Sequence, residues 1–292
     1  MLYSVYKTLA TAGSKSIGFS SVSRVGKAMA VPFRAVARSR FRLAADAIAF
    51  HLEKNRVEAE RLAARSISEN LTSFLEILLA QKVDERFIDE RLEIVDPESF
   101  EAACRAERPY VFATAHLGAW ELLSGIMSAK VSAPSKQVVV RKPKDEALHR
   151  LMMELRSVGD VEILEHRNAI FRLLKSLKRG GVAAFLVDHN CSRDEAVFLP
   201  FFNRTAAVNA GPALLAVRAG ALVMPVFLVR TGKGKYRLLT EKPLDTASLE
   251  GERQERVREV AEFYTSAVER RVREYPEQWF WMHRRWKTQP EQ

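Results

Sequence analysis

Tyr110–Ser124 reads YVFATAHLGAWELLS. The apolar run Tyr110 to Ala115, preceded by Pro109 and closed by His116, has the pattern of a buried strand. Gly118, Trp120 and Glu121 come next, where a helix should begin. A titratable side chain at the end of such a strand occupies the place where open α/β sheets put reactive groups. Five residues on one regular helix turn through about 500°, which would leave His116 and Glu121 roughly 140° apart. The two side chains meet only if His116 lies in the turn and Glu121 on the first turns of the helix. Gly118, lacking a side chain, lets that turn tighten. A carboxylate set against an imidazole holds its tautomer and stabilises the imidazolium, the arrangement of a general base and its orienting partner. Spacing alone favours a plainer alternative, a histidine satisfied by its neighbours.

Composition sets the class. A chain of 292 residues with 47% hydrophobic and 28% charged residues is globular rather than disordered. Its formal net charge of +10 favours anionic partners: nucleic acid, an anionic membrane leaflet, phosphorylated lipid or an acidic carrier protein. Cys104 and Cys191 have neither metal-ligand spacing nor a dense framework, so a reducing compartment without a structural disulfide is expected. No apolar run is long enough for a transmembrane helix, and MLYSVYKTLATAGSKSIGF lacks the features of a secretory signal.

Residues 1–42 carry Lys7, Lys15, Arg24, Lys27, Arg34, Arg38, Arg40 and Arg42 without one acid, interspersed with apolar residues. That mixture predicts a basic amphipathic arm lying on anionic lipid, with a solvated basic tail as the alternative. Gly13, Gly18, Gly26 and Pro32 argue against one long helix there. Residues 43–292 form the predicted α/β domain, of which 43–108 is a helical lead-in. Two helices are expected between Leu43 and Lys82, joined around Lys54–Asn55, and a further one opens at Asp96-Pro97-Glu98. Beyond the opening motif, strands are expected at Lys136–Val140, Val161–Leu164, Val182–Val187, Leu222–Val229 and Tyr236–Thr240. Helices are expected at Asp145–Ser157, Asn168–Lys178, Ala210–Ala219 and Gln254–Glu274, with a turn at Thr231–Lys235. This alternation predicts a mixed, largely parallel central sheet flanked by helices.

Three predicted strands end in polar clusters: His116 with Glu121, Arg141 with Lys142 and Lys144, and Asp188 with His189 and Asn190. Parallel strands end at one edge, so these clusters can share a crevice. Arg141 has the planar fork suited to a phosphate or a developing oxyanion; a solvated turn is the alternative. Asp188 is a candidate to orient Arg141 or to cap a backbone turn. Phe198, Leu199, Phe201 and Phe202 beside Asn203 and Arg204 fit either core packing or an acyl groove. The segment YPEQWFWMHRRWK, Tyr275–Lys287, combines three Trp with His283, Arg284, Arg285 and Lys287. It suits a lipid headgroup boundary, a single-stranded nucleic acid, or a terminal helix covering the sheet.

Taken together, these motifs resemble the bacterial lipid A biosynthesis (lauroyl/myristoyl, late) acyltransferases, within the lysophospholipid acyltransferase-like group. His116-Leu-Gly-Ala-Trp-Glu121 is similar to that family's His-x4-Asp/Glu motif. Arg141, Asp188-His189-Asn190, Pro200–Asn203, Ala213–Pro225 and Pro276–Lys287 follow in the family's order, and the likeness spans roughly residues 40–287. The family often has Gln after the Asp, and many members carry an apolar spanning segment near the N-terminus; this chain departs at both places. The resemblance implies a glycerol-3-phosphate acyltransferase-like fold behind an N-terminal helical membrane-associating arm. It implies transfer of a fatty acyl chain from an acyl carrier protein or CoA thioester to a hydroxyl of a phosphorylated glucosamine lipid. The cytoplasmic face of the inner membrane would be the place. His116 would be the general base, Glu121 its orienting partner, and Arg141, Asp188, Arg204, His283, Arg284 and Arg285 the substrate-binding groups. No cofactor, metal or nucleic acid is implied. Another lipid acceptor, or a non-catalytic basic membrane- or nucleic-acid-binding protein, are the competing readings.

Overall fold

A computed structural model describes residues 2–105, 108–166 and 169–291. The chain opens with α1 (Leu2–Ser16), α2 (Val22–Val36), α3 (Arg38–His51) and α4 (Arg56–Glu76), followed by α5 (Glu85–Arg91), β1 (Leu92–Ile94) and α6 (Pro97–Cys104). Next come β2 (Tyr110–Thr114), α7 (Leu123–Lys130), β3 (Lys136–Val140), α8 (Glu146–Arg156), β4 (Val161–Glu165), α9 (Ile170–Leu177) and β5 (Val182–Leu186). A hairpin of β6 (Ala196–Phe201) and β7 (Arg204–Asn209) leads to α10 (Gly211–Ala219). Then β8 (Leu222–Gly232), β9 (Lys235–Thr240), β10 (Leu244–Asp245) and α11 (Arg253–Glu274) complete the order.

The main sheet runs β1-β9-β8-β2-β5-β3-β4, with β10 paired to β8. Contacts from β8 through β2, β5 and β3 to β4 are parallel, while β8–β9 and β8–β10 are antiparallel. The fold is therefore mixed α/β with a largely parallel centre, as the alternation predicts. All five residues of β2 are buried, as a strand covered on both faces requires. β2, β5 and β3 are neighbours in register, Thr114 opposite Leu186 and Val139 opposite Phe185, so their C-terminal ends lie side by side.

Local signals explain most boundaries. Asn55, Asp84, Asp96 and Asp145 each accept a backbone N–H three residues on and so start α4, α5, α6 and α8. Gly220, at φ +61°, ends α10 in the left-handed conformation. The expected start of a helix at Asn168 falls outside the described residues, and α9 is described from Ile170.

The arm differs from expectation. Gly13, Gly26 and Pro32 lie inside helices, and the run breaks at the turn after Gly18 and again at Ala37. Gly26 is needed because α2 presses against α4; a Cβ there would stand 2.2 Å from Thr72 Oγ1. Val22, Gly26 and Ala30 form the buried stripe of α2, while Met29, Val31 and Val36 face outward. Residues 1–42 are thus docked on the body as well as basic. The long β6–β7 hairpin was not foreseen, and the predicted turn at Thr231–Lys235 shrinks to Lys233-Gly234. The segment after α11 is a short 3-10 turn, Pro276–Gln278, followed by irregular chain, not a helix.

A buried ion pair fastens α4 to the sheet. Arg230 of β8 donates to Glu76 at 2.7 Å, to Glu69 at 2.8 Å and to Ser73 at 3.1 Å, and Tyr236 of β9 donates to Glu76 at 3.0 Å. Glu76→Ala would strip this buried guanidinium of its inner carboxylate, and such a loss typically costs about 3 kcal/mol or more. Urea denaturation should register it as a lowered midpoint; an unchanged midpoint would mean that Glu69 alone holds Arg230.

Candidate active site

Gly118 sets the turn beyond β2. Its φ is +65°, and a Cβ would approach Leu228 O to 2.1 Å. The closeness is used: Ala119 N–H donates to Leu228 O at 2.7 Å, Gly118 N–H to Gln278 O at 3.0 Å, and Ser73 Oγ to Gly118 O at 2.6 Å. The chain then enters a 3-10 turn, Trp120–Leu122, rather than an α-helix.

His116 sits at the edge where β2, β5 and β3 end. Its Nδ1 lies 2.8 Å from Asp188 Oδ1, and its backbone N–H donates to Asp188 Oδ2 at 2.9 Å. The buried Trp279 completes the carboxylate shell, donating from Nε1 to Oδ2 at 2.8 Å. Asp188 is wholly enclosed, whereas the His116 side chain is 26% exposed. Burial works to raise the Asp188 pKa, but the facing His116, by charge and by hydrogen bond, outweighs it and holds the carboxyl well below its usual range. An ionised carboxylate on Nδ1 fixes the tautomer in which Nε2 is the free base. Trp120 and Phe280 flank the imidazole at 5.3 and 6.1 Å between ring centres.

The expected contact between His116 and Glu121 is absent among the described residues. Glu121 is buried and doubly bonded to Arg156, Nε to Oε2 at 2.7 Å and Nη2 to Oε1 at 2.5 Å, with Trp120 Nε1 donating at 3.2 Å. The cause is the tight Gly118 turn and the 3-10 geometry after it, which send Glu121 to the side of the sheet covered by α7 and α8. Asp188 takes the orienting position instead, and so does not serve Arg141. Nothing in the sequence reading singled out Arg156; its place in the last turn of α8 carries no spacing signal.

His116 opens into a cavity of about 370 Å³ whose lining includes Arg141, Lys142, Met152, Leu173, Leu215 and Arg218. Among the described residues no carboxylate lines it. On the far side of the Glu121–Arg156 pair is a second, apolar cavity of about 80 Å³, walled by Phe112, Ile126, Val138 and Leu238 among others. Arg156 borders both.

The structure brings His116, Asp188 and Arg141 together and leaves several other candidates elsewhere. Arg204 is exposed at the start of β7 and lines neither cavity. Arg285 is 1% exposed and donates to Ala207 O at 2.6 Å, which makes it a strut beneath the hairpin. Arg284 is exposed and outside both cavities. His283 stacks edge-on against Trp279 at 5.1 Å, behind Asp188 rather than in the cavity. The Trp residues expected at an interface are internal: Trp279 and Trp281 are buried, and Trp286 stacks on His51 at 3.5 Å. Among the described residues no cluster of His, Cys, Asp and Glu could hold a metal ion.

Three imidazoles near this floor are held neutral. Burial, reinforced by the Arg141 charge, pushes His189 down to about 3, and burial pushes His51 and His283 to about 4. Unfolded histidine takes up a proton near pH 6.5, so below that value the unfolded chain binds more protons than the folded one. Stability should therefore be full above about pH 6.5 and fall towards pH 4, by roughly 2 kcal/mol per histidine at pH 5. The depressed Asp188 loses its contribution only at still lower pH. Urea midpoints recorded from neutral pH down to pH 5 check this; a flat profile would exclude neutral burial of these rings.

Residues 9–288 match the model of the family described as bacterial lipid A biosynthesis acyltransferase. The chain is 30% identical over 159 residues to a lipid A biosynthesis lauroyltransferase from Escherichia coli, a match covering 52% of this chain and 49% of that protein. It is 25% identical over 208 residues to a phosphatidylinositol mannoside acyltransferase from Mycolicibacterium smegmatis, covering 70% and 65%. The match thus spans about half the length of the first relative. A crystal structure of a 1-acyl-sn-glycerophosphate acyltransferase from Thermotoga maritima overlaps 95% of this chain and 99% of its own, with a TM-score of 0.39 and 14% identity.

Proposed function

Because the chain belongs to the bacterial lipid A biosynthesis acyltransferase family, we propose that it transfers a fatty acyl chain from a thioester to a hydroxyl of a lipid acceptor. The donor is an acyl carrier protein or CoA thioester, and the acceptor a phosphorylated glucosamine lipid at the cytoplasmic face of the inner membrane. The observation that carries this reading is the His116–Asp188 pair at the rim of a large cavity with apolar and cationic walls.

In the proposed mechanism Nε2 of His116 takes the proton of the acceptor hydroxyl as that oxygen attacks the thioester carbonyl. Asp188, fixed by His116 N–H and Trp279, orients the ring and stabilises the imidazolium that forms. The tetrahedral intermediate collapses with loss of the thiolate, which recovers the proton from Nε2. Arg141, in the cavity wall with one long bond to Asn190 O, is placed for a phosphate or for the oxyanion. Glu121 acts one step removed, holding Arg156 between the two cavities. The apolar cavity behind that pair has the lining that an acyl chain needs. Likeness to a mannoside acyltransferase over 70% of the chain favours one alternative, a different glycolipid acceptor, and assays with both acceptors separate the two.

Membrane attachment is assigned to the basic arm. Among the described residues no helix is long and apolar enough to cross a bilayer. Leu2, Val5 and Leu9 stand exposed on one side of α1, at spacings that share a helix face, and Met29, Val31 and Val36 are exposed on α2. Exposed Lys15, Arg24, Lys27 and Arg34 accompany them. Such a surface binds anionic lipid through both apolar burial and charge.

His116→Ala should abolish acyl transfer while leaving vesicle binding intact. Asp188→Asn, which keeps the shape but not the charge, should lower kcat by about 10³-fold or more. Full activity in either variant would remove the mechanism. Binding to anionic vesicles should weaken as salt rises, and replacing Leu2, Val5 and Leu9 with Ser should weaken it at every salt concentration; equal binding by that variant would exclude α1 as the anchor.

A further inference from the structure

Beside the His116 cavity lies a third, polar basin of about 740 Å³. The two share Arg141, Lys142, Pro143 and His166, so the basin opens directly next to the reacting edge. Its remaining wall comes from the loop after β5 and from the C-terminal segment, with Lys287 and Thr288. That segment is held in place by a reciprocal pair of hydrogen bonds. Asn190 Nδ2 donates to Thr288 Oγ1 at 2.9 Å, and Thr288 N–H donates to Asn190 Oδ1 at 3.0 Å. Arg193 Nε adds a bond to Gln289 O at 3.0 Å. Lys287 is thereby fixed to the basin wall by its neighbours while its own ammonium is exposed.

The charges in the basin are unequal in availability. Glu165 is bonded to His149 at 2.7 Å, and Glu195 accepts from Ser192 at 3.0 Å and lies 4.0 Å from His166. Lys142 pairs with Glu146 at 2.8 Å. Arg141 makes one contact, a long 3.3 Å bond to Asn190 O, and among the described residues neither Arg141 nor Lys287 has a carboxylate partner. Two cations lining one basin without a carboxylate partner, one a planar fork and one a point-charge ammonium, make a receptor for a dianion.

We infer that this basin is a phosphate-ester subsite in which Lys287 and Arg141 hold a phosphate of one substrate while its reacting group lies at His116. The inference rests on the acyl-transfer reading. Both substrates of that reaction bring the same chemistry, a phosphate on the pantetheine arm of the donor or on the sugar of the acceptor. Lys287 is a binding residue for the phosphate and takes no part in the proton transfer.

Steady-state kinetics of Lys287→Ala and Lys287→Arg identify which substrate it is. The donor arm compares an acyl-CoA with the acyl thioester of N-acetylcysteamine, which lacks phosphate. The acceptor arm compares a phosphorylated glucosamine lipid with its phosphatase-treated form. Lys287→Ala should raise KM about tenfold for one phosphate-bearing substrate, with kcat nearly unchanged, and should leave KM for its phosphate-free counterpart unaltered. Lys287→Arg should restore most of the loss. An unchanged KM throughout, or an equal rise for the phosphate-free counterpart, would overturn the subsite. An independent readout uses Trp286, next in sequence to Lys287: inorganic phosphate should perturb its fluorescence in the wild type and not in Lys287→Ala. Phosphate binding without any acyl transfer would count against the acyltransferase reading alone; transfer without a phosphate response would count against the subsite alone.

Discussion

A single buried carboxylate organises the reacting edge. Asp188 has no access to water and must be neutralised by donors, because an uncompensated buried charge costs several kcal/mol. Its three donors come from the turn after β2, which supplies two, and from the C-terminal segment. Satisfying them requires β2 and β5 to end together, the His116 backbone to point inward, and Trp279 to thread beneath the sheet edge. Trp279 is held in turn by its carbonyl, which accepts from Ser66 at 2.7 Å and Asn70 at 3.0 Å on α4. Sheet, lead-in helices and C-terminus therefore converge on one anion, and the imidazole at its surface is the only member of that cluster with a face to the cavity.

Glu121 shows how a motif can be present while its geometry departs from the obvious pairing. Five residues after His116, on a helix, it would project away from the imidazole, and a turn was needed to bring it back. The turn exists but overshoots. Gly118 is locked to Leu228 and Gln278 by backbone bonds, and the following 3-10 turn carries Glu121 towards α8. There it finds a guanidinium with matching bidentate geometry. The two acids are placed apart: Asp188 faces the imidazole, while Glu121 holds Arg156 at the border of the two cavities.

The parallel core was legible because its signals are local. Apolar runs bounded by Pro109, Gly181 and Gly220, and Asp or Asn caps before α4, α6 and α8, need no knowledge of distant residues. Convergence of His116, Arg141 and Asp188 followed from strand parallelism alone. The β6–β7 hairpin was hidden because its turn uses Phe202 in a left-handed conformation, φ +57°, where glycine or asparagine is the usual sign. Phe202 tolerates that strain inside an aromatic cage with Phe201, Trp279, Trp281 and Trp286, none of which is near it in sequence except Phe201. The same cage holds the C-terminal Trp residues, which cover the sheet as one of the alternatives expects, though without a helix. Trp next to Arg looks interfacial in sequence, but here the rings fill the core, and Arg285 is buried against Phe201 at 5.1 Å and bonded to a backbone carbonyl.

The basic arm presents the opposite case, in which composition indicates a basic, amphipathic segment but not the docking of its helices on α4 and α8. An amphipathic helix has one apolar face to spend, and α2 buries Val22, Gly26 and Ala30 against α4. Met29, Val31 and Val36 are the apolar side chains it leaves outside. α1 repeats the pattern: Ala10 is its buried residue, Tyr3, Tyr6 and Lys7 tie it to Asp145 and Glu154 at the two ends of α8, and Leu2, Val5 and Leu9 remain exposed. Asp145 is the cap of α8, next to the loop that carries Arg141 and Lys142. Through α8, the first helix of the arm is thus linked to the loop that supplies the cationic wall of the cavity.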